Sequence, residues 1–137
     1  MGNLNEVHQS RVQYFQKNIT AAANAGQTAV ADVKVDKIAI EAVVLRSEGA
    51  TTGDLTTAAL SAGPNTAETT LTLLSTGVAT QANLDAAAKQ VSEYWSSGLL
   101  LNKDEEIVID LQGTGATAVD LTVLVAYRSV SEGGGLA

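Results

Sequence analysis

The chain has 137 residues, 45% of them apolar, a formal charge of −7 and no cysteine. That length suits one domain with a core of useful size, and the missing thiols exclude disulfides, thiolate nucleophiles and cysteine zinc sites together. With 15 acidic residues against 8 basic ones and no basic cluster, a nucleic-acid reader is excluded too, because such proteins neutralise phosphates with lysine and arginine.

Small side chains supply much of the apolar content: 22 alanines stand beside 15 threonines, with one Phe, one Trp and three Tyr. Residues 1–9 are polar and hold two isolated apolar side chains, Leu4 and Val7, without a clear period. The opening shows no charged region followed by an apolar core, so no secretory signal is expected. No apolar run approaches the roughly 20 residues that cross a bilayer, so no membrane partner is expected. Residues 10–19 alternate as a first strand, while Val7, Arg11, Tyr14 and Phe15 also fit a helical stripe through residues 6–15. Leu4, Val7, Tyr14 and Phe15 are too apolar for a tail that only solvates, so residues 1–15 are read as a partner-binding arm.

Residues 28–35 alternate imperfectly, and Asp36-Lys37 marks a break. In residues 37–47, Ile38, Ile40, Ala42 and Val44 share one face, and Ala39, Val43 and Leu45 make the other partly apolar, as in a central strand. Residues 48–54 read as a loop. Residues 55–61 and 68–75 are further strands, separated at Gly63-Pro64, the strongest break in the chain. Residues 81–90 have high helix propensity and no β-branched residue, so a short helical crossover is expected there, capped by Thr80 or Asn83. Residues 91–95 form a short strand. Residues 105–128 then hold two alternating runs around a glycine-rich turn, which reads as a β-hairpin with Ile109, Leu121 and Val123 in the core.

These elements give an all-β chain: a single-domain β-sandwich, jelly-roll-like, with about eight strands and one short helical crossover. The sandwich is expected over residues 16–130, with a flexible tail over residues 131–137.

Side chains able to do chemistry are scattered. His8 is the single histidine and has no cysteine to complete a metal set. Asp32, Asp36 and the run Asp104-Glu105-Glu106 lack the alternating ligand pattern of a calcium loop. Gly113-Thr114-Gly115 precedes a period-two run, so the helix N-terminus of a phosphate loop is missing. No serine sits in a nucleophile elbow. No catalytic, metal or cofactor site is assigned, and the chain is read as non-enzymatic. Tyr94 and Trp95 remain, either as a core plug or as interface anchors.

Three stretches, residues 39–47 (Ala-Ile-Glu-Ala-Val-Val-Leu-Arg-Ser), 73–84 (Leu-Leu-Ser-Thr-Gly-Val-Ala-Thr-Gln-Ala-Asn-Leu) and 107–115 (Ile-Val-Ile-Asp-Leu-Gln-Gly-Thr-Gly), carry a resemblance. In them the chain resembles the small Ala/Thr/Gly-rich virion structural proteins of tailed bacteriophages, particularly those that decorate or cement the capsid. The resemblance covers about two-thirds of the chain and involves no catalytic signature. It implies a non-enzymatic sandwich on the capsid surface of the virion, made in the host cytoplasm, with the major capsid protein or other virion proteins as partner. It also implies many copies per particle, for which a homo-oligomer, a trimer by preference, would give avidity. The alternatives are a head-fibre, neck or tail component and, from another class, a carbohydrate-binding module whose affinity would depend on Trp95.

Overall fold

Threonine, valine and alternating apolar residues put most of the chain into extended backbone. The computed structural model describes residues 11–49, 53–130 and 133–137. The described strands are β1 (Val12–Ala22), β2 (Gly26–Lys34), β3 (Ile38–Ser47), β4 (Leu55–Gly63), β5 (Leu71–Leu74), β6 (Gln90–Leu101), β7 (Glu106–Gly113), β8 (Ala118–Ser129) and β9 (Gly135–Leu136). The first sheet has the order β1-β8-β3-β6 and the second β5-β4-β7-β2-β9. Strands β1 and β8, β2 and β7, β3 and β6, and β4 and β5 are all antiparallel neighbours. Eight strands paired in this nested way and rolled into two facing sheets are a jelly roll, the architecture expected from the strand count, with β9 added at one edge.

The glycine-rich turn departs from the expected hairpin. β7 pairs with β2 and β4, whereas β8 pairs with β1 and β3. The two runs are therefore not a hairpin; the turn arches from one sheet to the other. Both strands are apolar on their inner faces, and facing each other across the sandwich buries both sets at once. Gly113 is needed in the arch, because a Cβ there would lie 2.2 Å from the Asp54 carbonyl oxygen. The expected core positions Ile109, Leu121 and Val123 are fully buried, in one cluster with Ile38, Leu45, Leu60 and Leu111.

β3 holds a second difference. Its register shifts between Ile40 and Ala42, leaving Glu41 as an extra residue. Ile38 and Ile40 point inward before this bulge and Val43 and Leu45 after it, all buried, while Ala42 and Val44 turn outward. A bulge changes the phase of alternation, which is why the strand read as apolar on both faces. β2 does the same between Ala29 and Ala31, and Val30, Ala31 and Val33 are all buried.

The helical crossover shrinks to a 3₁₀ turn at Gln81–Asn83, capped by the Thr80 hydroxyl, which accepts the Asn83 N–H at 3.3 Å. Only Leu84 is buried between Gln81 and Gln90, so no apolar stripe rewards a longer helix, and short isolated helices are marginal. Ala88, at φ 70°, also breaks helical geometry, and its N–H bonds to the Ser47 carbonyl.

β1 starts at Val12, inside the stretch read as an arm, and pairs with β8 along its whole length. Near the other terminus, Gly135–Leu136 pairs with β2 at Val33 and Lys34. A polar cluster ties the two ends together. Tyr127 donates its hydroxyl to Gln13 Oε1 (3.4 Å) and accepts the Leu136 N–H (3.3 Å). Gln13 Nε2 donates to Ser129 Oγ (2.8 Å), which donates to the Gly134 carbonyl.

Leu121→Ala should cost about 2–5 kcal/mol by the cavity it leaves, lowering the melting temperature, whereas Thr122→Ala on the outward face should change it little. Removing residues 1–15 strips Val12–Phe15 from β8 and Gln13 from the polar cluster. Thermal melts should show a less stable domain than the full chain.

Candidate interaction face

Even-numbered residues of β8 point away from the core, and register extends that outer face across the first sheet. Tyr14 pairs with Ala126, Ala126 with Ala42, and Ala42 with Tyr94, so four strands contribute one straight row. The two tyrosines are 69% and 75% exposed. With strands ~4.8 Å apart, they stand roughly 14 Å from each other on either side of an alanine floor. The adjoining row is Gln16, Leu124, Val44 and Ser92, and on the other side Val12, Arg128, Ala39 and the exposed Leu100.

Both arginines on this face have a carboxylate partner. Arg128 bonds Glu41, the extra residue of the bulge, and Arg46 Nε lies 3.2 Å from Glu48. Asp120 accepts Asn18 Nδ2 at 2.7 Å. A hollow of about 370 Å³ lies beside the apolar rows, lined by Gln16, Val44, Arg46, Glu48, Gln90, Thr122 and Leu124. The outer face of the second sheet differs. Asp110 and Glu106 there bond only neutral groups, Gln112 Nε2 and Thr66 Oγ1 respectively, each at 2.7 Å, and β4, β5 and β7 carry no lysine or arginine.

Of the residues singled out from sequence, Tyr14 and Tyr94 thus come together on one face although 80 positions apart in the sequence. Phe15 and Trp95 point the other way and are half-buried against the core. Leu4 and Val7, like His8, lie outside the described residues. Trp95, on which a glycan platform would depend, is in large part a core residue. Sequence reasoning missed Ala42 and Val44 as outward residues, because the bulge at Glu41 hides them, whereas the alternation of β8 by itself puts Leu124 and Ala126 on the face away from the core.

The acidic clusters resolve into local contacts. Asp32 pairs with Lys34 at 3.3 Å, and Asp36 Oδ1 accepts the Lys37 N–H at 2.7 Å. Asp54 accepts both the Thr117 hydroxyl (2.6 Å) and its N–H (3.3 Å), which holds the arch after β7. Among the described residues no three His, Cys, Asp or Glu side chains converge as a metal set.

No protein-family model matches the sequence, and no curated protein does. Two solved phage assemblies hold chains similar to it. One is in the cyanophage Pam1 capsid asymmetric unit, with 20% identity over 87% of this chain and 84% of that one and a TM-score of 0.49. The other is in the capsid of Ralstonia phage GP4, with 16% identity over 90% and 87% and a TM-score of 0.47.

The neighbours Tyr94 and Trp95 should separate experimentally. Trp95→Ala removes a ring packed on the core and should lower stability by more than about 1 kcal/mol, while Tyr94→Ala, like most surface changes, should stay within about 0.5 kcal/mol. Denaturant titration of both variants measures the difference.

Proposed function

We propose that the chain is a non-enzymatic structural component of a phage capsid, a decoration or cement protein that seats the outer face of its first sheet on the major capsid protein. The sequence resemblance points to that class, and the row Tyr14, Ala126, Ala42, Tyr94 supplies the surface that supports it. Exposed tyrosines bring large, stiff contact area at low entropic cost, and they are favoured at binding hot spots. Arg128 and Arg46 already have carboxylate partners, so covering the face strands no lone cation, and Asp120 keeps the Asn18 amide as its donor. The uncompensated carboxylates of the second sheet would then face solvent.

Leu4 and Val7 are further anchors in this reading. Burying such side chains yields about 1.5–3 kcal/mol each, against association costs of about 4–15 kcal/mol, so a single copy binds weakly. Several copies grouped together, in threes by preference, gain avidity on a repetitive lattice.

The test is retention on purified particles. Tyr14→Ser and Tyr94→Ser should each weaken binding about tenfold or more, the two together further, with unchanged melting temperatures. Asp110→Asn on the opposite face should bind as the parent chain does. Full retention of the double tyrosine variant would overturn the reading.

A further inference from the structure

The first sheet ends in two open edges of opposite charge. β1 is one edge, and from Val12 to Ala21 it makes no backbone hydrogen bond on its outer side among the described residues. It contains Lys17 and no carboxylate, and Arg11 directly precedes it; neither cation is in an ion pair among the described residues. β6 is the other edge, likewise open, and its one charged side chain is Glu93, which accepts only the Tyr94 N–H, at 3.2 Å. In a chain of charge −7, a cationic strand without acids is unusual, and it lies at the far side of the sheet from an anionic one.

Strand direction decides what these edges can join. Every neighbour in β1-β8-β3-β6 is antiparallel, so β1 and β6 run in opposite senses. A second copy held in the same orientation therefore offers its β1 antiparallel to β6 of the first. We propose that the chain associates with itself head to tail, β6 of one copy pairing with β1 of the next, so that the first sheet continues from copy to copy.

Charge and register support this joint over the pairing of β1 with itself. Pairing β1 with another β1 along its full length about a two-fold axis sets Lys17 opposite Lys17, and like charges directly opposite are destabilising. Lys17, on the core-facing side of an edge strand, thus guards β1 against itself. Against β6 the same residue is attracted. Setting Tyr94 opposite Tyr14 of the next copy puts Glu93 opposite Phe15 and diagonal to Lys17, on the same face and within reach of a long side chain. The regular part of β6, Gln90 to Tyr94, is what pairs; beyond it the ladder with β3 is interrupted until Leu99. The joint also carries the outer row of tyrosines and alanines unbroken into the next copy. It does not depend on what that face binds.

Charge exchange in the full chain, in solution and without particles, tests the joint. Sedimentation equilibrium should show the parent chain self-associating. Lys17→Glu and Glu93→Lys should each weaken association at least about fivefold, since each turns an attraction into a repulsion, and the two changes in one chain should restore it. Both positions are exposed, so melting temperatures should be unchanged and loss of association will not reflect unfolding. A parent chain that is monomeric at all concentrations, single variants that associate as the parent does, or a double variant that stays weak would each overturn the proposal. Particle retention of the tyrosine variants is a separate readout.

Discussion

β8 is hydrogen-bonded on both sides, to β1 from Val12 to Ala22 and to β3 from Ile38 to Ser47, and its Val119, Leu121, Val123, Val125 and Tyr127 are all buried. A slip of one residue in either ladder would turn this row to solvent and bring Asp120, Thr122 and Arg128 into the core. The opposite sheet answers with Ile107, Ile109 and Leu111 on β7, which is also paired on both sides. Two doubly paired strands, consecutive in sequence but in different sheets, thus fix the register of their neighbours. Every other strand is placed by pairing with one of them or with a strand so placed.

Alternation makes much of this legible in the residues themselves. The strand content, the sandwich and the buried face of β8 follow from period-two patterns, because a half-buried strand can be written in few other ways. Partner choice is not legible. A glycine-rich turn between two alternating runs specifies a reversal of the chain, and both a hairpin and an inter-sheet arch satisfy it. What selects the arch is that β2 and β4, distant in sequence, claim the two edges of β7. Bulges are hidden for a related reason, since one extra residue at Glu41 makes an alternating strand look apolar on both sides. The helix propensity of residues 81–90 is real but weak, and it loses to the anchoring of Ala88 and Lys89 on Ser47.

The candidate face is half legible. Tyr14 and Tyr94 stand out because large aromatics are scarce in this chain, yet only the ladder shows that they share a row. Their sequence neighbours Phe15 and Trp95 draw equal notice and serve the core, as alternation across a strand requires. Adjacent aromatics in a strand thus divide between stability and surface, and exposure decides which residue has which role.

Core and face are coupled through the bulge of β3. If Glu41 were a regular strand residue instead of a bulge, continuing the phase of Ile38 and Ile40 would send Ala42 and Val44 inward and put Val43 and Leu45 outside. The core would exchange Val43 and Leu45 for the smaller pair Ala42 and Val44, while the row between the tyrosines would be broken by a branched residue. The same insertion brings Glu41 to Arg128, so that the arginine nearest the apolar rows is paired. One residue therefore sets the packing of the inner face, the flatness of the outer one and the balance of its charge. That is the kind of position where a bulge is a designed feature of a sheet rather than a defect in it.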